Sequence, residues 1–310
     1  MKPTKGKKKR RAQLRRRWLC AACVPFLLLI LALAWPKRVV RGAPAPVSPA
    51  ESLAATAAPT VKPTVKPTAA PEICLLGEKS IYYPFDPELF VTDSRGRISY
   101  SGEGYTCLTG IDVSEHQYDI NWQKVAADGI DFAIIRTGYR GYTSGGIYED
   151  KFFRQNIEGA LANGIKVGVY FFSQATDTEE ATAEAAYVLS MIEENDVDVT
   201  YPVVFDWEMD YSSNARVNGV SRDTVTKCAA AFCQKIRGAG YTPCIYFNTV
   251  TGYLVYDLDQ LSDYDFWLAE YNDKPSFYYG FQLWQNSCTG TVAGIDCDVD
   301  MDMAMKKYTP

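Results

Sequence analysis

The 310-residue sequence is 47% hydrophobic and 13% aromatic with a formal net charge of −5, which is enough apolar material for a buried core and too much for a disordered chain. Residues 1–41 hold thirteen of the 32 Lys and Arg and no acid, leaving nineteen basic residues against 37 acidic ones beyond Arg41. So acidic a remainder argues against nucleic acid as a partner.

Basic residues crowd positions 1–17, and an apolar run without charge follows over 18–35. Eighteen residues at about 1.5 Å each span roughly 27 Å, so residues 18–36 are expected to form a transmembrane signal-anchor with the basic flank cytoplasmic and the rest outside. A cleaved signal peptide is the rival reading, because Ala32-Leu33-Ala34 resembles a small-residue cleavage site; the length of the run favours the anchor. Residues 37–71 are rich in Pro, Ala and Thr and cannot build a core. In polyproline II geometry about thirty of them reach roughly 90 Å, the dimension of a stalk. Residues 72–108 read as a small aromatic-rich extension, hairpin-like around Asp93-Ser-Arg-Gly96.

From residue 109 to 310 short apolar runs alternate with amphipathic helices, the pattern of a parallel β/α arrangement. Strands are expected at 110–114, 131–139, 166–174, 201–210 and 242–248, and helices near 121–127, 150–163, 178–195 and 221–237. Gly129, Gly164, Gly238 and Gly240 suit helix C-termini, and Thr178 and Ser221 suit N-caps. Beyond Asn248 the runs 266–271, 278–287 and 292–303 read as strands without long helices between them. The expected fold is α/β: an irregular, flattened, TIM-like β/α barrel with helices missing between its last strands, and catalytic groups at the C-terminal strand ends. Seven of the nine cysteines lie beyond the apolar run, so not all can pair; Cys288 and Cys297 could close a short loop, and buried free thiols are expected.

The strongest chemical signal is Tyr201-Pro-Val-Val-Phe-Asp206-Trp-Glu208, an apolar strand ending in acids. Residues two apart on a strand share a face, so Asp206 and Glu208 project together and can divide the labour of glycoside cleavage. A bare D-x-E is short, and solvated strand-end acids are the ordinary alternative. Two more acids change the balance: Asp112 lies inside an apolar first strand, where an uncompensated charge is costly, and Asp300 follows an apolar approach late in the chain.

Seven motifs in order then resemble the family-25 glycoside hydrolases, the lysozyme family of bacterial and phage muramidases. They are Gly110-Ile-Asp-Val-Ser114 with Gln117 and Trp122; Asp131-Phe-Ala-Ile-Ile-Arg136-Thr-Gly-Tyr139; Lys166-Val-Gly-Val-Tyr170-Phe-Phe172; Val204-Phe-Asp206-Trp-Glu208; Phe266-Trp267-Leu-Ala-Glu-Tyr271; Leu283-Trp284-Gln285; and Val299-Asp300-Met301. The resemblance implies an N-acetylmuramidase that hydrolyses the β-1,4 bond between N-acetylmuramic acid and N-acetylglucosamine in peptidoglycan glycan strands, without metal or organic cofactor; with the expected anchor it would be tethered to the membrane. It implies Glu208 as general acid, with Asp206, Asp112 and Asp300 as the other catalytic acids. Arg136, Tyr170, Tyr246, Trp267, Tyr271 and Gln285 would line the sugar sites, although core packing competes for each aromatic residue. The chain departs from the family where Tyr118 stands in place of a frequent Gly and Asp302 in place of a frequent Asn.

The run from Asp296 to Asp302 alternates acids but lacks the turn glycine and distal Glu of an EF-hand loop, so calcium is not expected. The single histidine, His116, rules out multi-histidine zinc sites and reads as a rim residue. Two other functions fit the same acids: a wall-binding module that does not cut, and a glycosidase for another N-acetylhexosamine polymer.

Overall fold

The computed structural model describes residues 84–308 apart from Thr106 and Lys307. The expected anchor, the stalk and the start of the extension lie outside the described residues. No helix among those described is long and apolar enough to cross a membrane.

The extension opens with a hairpin, β1 (Phe90–Thr92) and β2 (Ile98–Tyr100), paired antiparallel. Its turn is the expected one, with Asp93 accepting backbone bonds from Arg95 and Arg97 and Gly96 at φ 77°. Eight strands then close a barrel: β3 (Leu108–Val113), β4 (Phe132–Arg140), β6 (Lys166–Ser173), β7 (Val199–Trp207), β8 (Pro243–Asn248), β9 (Asp265–Ala269), β10 (Leu283–Gly290) and β11 (Val299–Ala304). A short strand missed by sequence, β5 (Ile147–Glu149), folds back on β4 as an added edge.

Pairing is parallel from β3 through β10, while β11 runs antiparallel to both of its neighbours. The chain between β10 and β11 has no helix and is too short for a parallel crossover, which needs a dozen or more residues. The reversal puts the N-terminal end of β11 at the mouth. Asp300 therefore sits near the start of its strand and still reaches the same rim as the C-terminal ends of the others.

Four helices match the expected positions: α1 (Trp122–Ala127), α2 (Phe153–Ala162), α3 (Thr178–Glu194) and α4 (Arg222–Gly238). Ser221 caps α4 through the Thr224 amide, whereas Asp177, not Thr178, caps α3 by accepting from the Glu180 amide. Positive φ at Gly129, Gly164 and Gly240 stops α1, α2 and α4 as the sequence predicts. Sequence missed the short α5 (Thr249–Leu254), which follows β8. On α4 the buried stripe Val225, Cys228, Ala229, Phe232, Cys233 and Ile236 is wide enough to bury both cysteines as unpaired thiols.

The barrel interior is filled by Phe132, Ile134, Tyr201, Val204, Cys244 and Leu283, with Phe132 and Tyr201 stacked at 4.4 Å. Gly110 makes room for the Phe132 ring, because a Cβ there would collide with it. Pro202 is tolerated within β7 because it lies at a register shift, where Val167 and Val169 pair with Val199 and Val203.

The extension does the work of missing helices. Strands β10 and β11 have none to cover their outer face, and Trp284 points outward there. Phe90 packs on Trp284 at 5.6 Å and Phe85 on Phe281 at 5.4 Å, with Tyr100 and Tyr105 completing the cluster. Arg95 and Arg97 both bind Asp128, fastening the hairpin to the end of α1.

Candidate active site

Each mouth residue arrives by the alternation of its strand. On β3, Ile111 and Val113 face the helices while Asp112 faces inward; on β10, Leu283 and Gln285 face inward and Trp284 outward. Together Asp112, Tyr170, Phe172, Asp206, Glu208, Tyr246, Trp267, Tyr271, Gln285 and Asp300 line one cavity of about 200 Å³. Nine of the ten residues expected at the site thus meet there, and Phe172 joins them; its place two residues after Tyr170 on one strand face was the available signal.

Arg136 is the exception, for it does not reach the cavity wall. Its guanidinium is held by Asp150 at 2.7 Å and Glu115 at 3.4 Å and lies over the Tyr139 ring. From there it acts on Asp206 as a buried counter-charge, opposing the rise in that carboxyl's pKa.

Asp206 is buried, and Glu208, one residue past the end of β7, keeps an edge towards solvent. The two carboxyls lie close enough to interact directly, each acting on the other's protonation. Burial is the largest cause that raises both; the charge of Glu208 adds to it at Asp206, and that of Asp300 adds to it at Glu208, which is pushed up to about 7. Among the described residues no N–H or hydroxyl donates to Asp206 Oδ1.

A second carboxyl pair lies deeper. Asp112 accepts from Gln285 Nε2 at 2.6 Å, and Gln285 Oε1 in turn accepts from the hydroxyls of Tyr246 at 2.9 Å and Tyr271 at 3.0 Å. Asp302, two residues inward of Asp300, accepts from Trp267 Nε1 at 2.9 Å and hydrogen-bonds with Asp112 when that carboxyl is protonated. Burial, then the charge of Asp300, holds both Asp112 and Asp302 well above the usual carboxylate range.

Asp296 and Asp298 stay exposed on the connection before β11 while Asp300 and Asp302 turn inward, so the alternating acids do not converge. Among the described residues no group of three His, Cys, Asp or Glu is arranged to hold a metal ion. His116 is exposed, beside Tyr118, whose φ of 58° is a conformation that favours glycine.

A closed β/α barrel that gathers carboxyls and aromatic rings around one cleft at its strand ends has the construction of a barrel glycosidase. Residues 111–295 match the family described as glycosyl hydrolases family 25, and the chain belongs to that family. It is 31% identical to lysozyme M1 of Streptomyces globisporus over 207 residues, covering 62% of this chain and 66% of that protein. It is 26% identical to the autolytic lysozyme of Clostridium acetobutylicum, covering 63% of this chain and 55% of that one. The chain thus spans between half and two thirds of the length of these relatives. Its fold resembles that of the modular autolysin LytC of Streptococcus pneumoniae, solved with a synthetic peptidoglycan ligand, at a TM-score of 0.56 and 24% identity over 72% of this chain and 52% of that one.

Proposed function

We propose that this protein is a peptidoglycan hydrolase that cleaves the β-1,4 bond between N-acetylmuramic acid and N-acetylglucosamine, held at the membrane by residues 18–36. The observation that carries the reading is the Asp206–Glu208 pair: two neighbouring carboxyls, the second at the open lip of a cleft walled by Tyr170, Tyr246, Trp267 and Tyr271. A carboxyl with a pKa near 7 is suited to protonate a leaving oxygen near neutral pH.

Glu208 delivers its proton to the glycosidic oxygen as the bond to the anomeric carbon breaks. The carbonyl oxygen of the substrate's own 2-acetamido group attacks that carbon, forming a cyclic intermediate that water then opens with Glu208 as base. Asp206, whose Oδ1 lacks a donor among the described residues, accepts from the acetamido N–H and stabilises the charge that develops there. Substrate-assisted glycosidases are an established departure from the two-carboxylate scheme. Asp206 lies beside the acid rather than across the sugar from it, which favours this route over inversion. Asp112 and Asp300 complete the catalytic acids, and Tyr170, Tyr246, Trp267, Tyr271 and Gln285 hold the sugars.

The test is digestion of purified peptidoglycan followed by mass spectrometry of the reduced muropeptides, with chitin oligomers digested in parallel. New muramic acid reducing ends are expected. Cleavage of chitin alone would assign another N-acetylhexosamine polymer, and binding without cleavage would assign a wall-binding module. For the anchor, the full-length protein should sediment with membranes, and recovery from the medium with its N-terminus trimmed near Ala34 would contradict it.

A further inference from the structure

Glu208 has no backbone ladder to hold it. The β6–β7 pairing ends at Ser173 and Trp207, and the β7–β8 pairing ends at Asp206 and Tyr246, so the chain leaves both neighbours just before Glu208. A side chain supplies the next rung: Gln174 Nε2 donates to the Glu208 carbonyl at 3.1 Å and to the Ser173 carbonyl at 3.0 Å.

Gln174 is completely buried, and its own Oε1 has no hydrogen-bond partner among the described residues. A buried amide left half-satisfied costs stability, and an apolar side chain of the same length would remove that cost while leaving the Glu208 and Ser173 carbonyls without this donor. What the amide adds beyond packing is therefore its two bonds to these carbonyls.

Gln174 is itself gripped from the far side. Arg216, on the connection that follows Glu208, donates from Nη1 to the Gln174 carbonyl at 2.6 Å and to Glu180 Oε2 at 2.8 Å, and from Nη2 to Glu180 Oε1 at 2.6 Å. Glu180 also accepts from the Thr176 amide, and Arg140 donates to the Glu180 carbonyl. Gly145 leaves room for the guanidinium, since a Cβ there would come within 3.0 Å of it. The Trp207 indole, donating to the Ala175 carbonyl at 3.0 Å, ties the same two chain segments once more.

We propose that Gln174 is a positioning residue for Glu208, with Arg216 holding Gln174 in place, so that the connection leaving the acid returns to fix it. The inference rests on Glu208 being the general acid. Loosening this relay lets the Glu208 carboxyl swing towards water; the titratable groups that interact with it electrostatically are Asp206, Asp300 and the hydroxyls of Tyr142, Tyr246, Tyr256 and Tyr271. Burial is the chief cause of its raised pKa, so exposure moves that value down towards 4.5.

The experiment compares full-length wild type, Gln174→Met and Arg216→Lys on soluble glycan fragments, and follows the Glu208 carboxyl by carbon NMR titration without substrate. Methionine keeps the volume and removes the donor; lysine keeps a charge beside Glu180 and loses the fork that also reaches Gln174. A displacement of the acid by about 1 Å can cost about a hundredfold in rate. We expect kcat to fall about ten- to a hundredfold with KM nearly unchanged, the alkaline limb and the Glu208 titration to move to lower pH, and the melting temperature to fall modestly, because Gln174→Met leaves two backbone carbonyls without their donor. An unchanged kcat and an unchanged titration in both variants would overturn the proposal, as would a loss of melting temperature alone. Should Gln174→Met not fold, Arg216→Lys decides by the same readouts. Wild type that cuts no glycan, with a titration still shifted by Gln174→Met, would contradict the hydrolase reading and support the positioning role.

Discussion

Asp300 on β11 and Asp112 on β3 are register partners across the antiparallel pair that closes the barrel, two carboxyls brought face to face with no cation between them among the cavity-lining residues. Like charges directly opposite on neighbouring strands destabilise a sheet. With Asp206 and Glu208 at the cavity and Asp302 beneath it they make a cluster of five acids, and four of these have pKa values raised chiefly by burial.

The sign of the resulting pH dependence follows from linkage. A carboxyl whose folded pKa lies above its unfolded value contributes stability that is complete below the unfolded value and is lost as pH rises through the folded one. For Glu208 that window runs from 4.5 to about 7. Glu180, lowered to about 2 because its bonds from Arg216 and Thr176 outweigh burial, is fully charged across the window and does not offset the loss. The melting temperature by scanning calorimetry should therefore fall between pH 5 and pH 8; a rise over that range would contradict the raised values.

Asp302→Asn should stabilise the protein at pH 8. The carboxamide oxygen can keep the bond from Trp267 Nε1, its nitrogen can donate to Asp112, and one crowded charge is gone. A gain on the order of 1 kcal/mol, or about 2–4 °C in melting temperature for a domain of this size, is expected, shrinking towards pH 5. An equal gain at both pH values would point to packing rather than charge.

The hairpin extension should prove part of the folding unit. Phe85→Ala removes a buried ring with four aromatic neighbours and should cost about 3–5 kcal/mol. A chain shortened to begin at Pro71 should fold and stay soluble, whereas one begun at residue 109 should expose Trp284 and Phe281 and aggregate. Equal melting temperatures for the two would refute the covering role.

Much of the barrel was legible because buried parallel strands read as apolar runs and their helices carry caps and C-terminal glycines. The cavity residues were legible because an acid such as Asp112 in an apolar strand is costly without a reason. What stayed hidden depends on partners distant in sequence. The reversal of β11 follows from a short connection meeting a closing barrel, and the screening of Arg136 from the cleft follows from Asp150 and Glu115, which no local pattern pairs with it. Gln174 was unreadable for the same reason, since its partners are the backbone of Glu208 and the fork of Arg216.

Stereochemistry separates the routes. Attack by the acetamido oxygen gives retained β-configuration in the first-formed product and a large loss of rate on glycan whose muramic residue at the cleavage site has been de-N-acetylated. An initial α-anomer, seen by proton NMR before mutarotation, would exclude that route and leave inversion with Asp206, Asp112 or Asp300 as base.

The most direct test of the account is Glu208→Gln, which removes the transferable proton and keeps the shape of the side chain. Release of reducing ends from purified peptidoglycan should fall by at least about 10² to 10⁴, with glycan binding and melting temperature at pH 5 nearly unchanged. Near-normal turnover in that variant would contradict the assignment of Glu208 as the general acid.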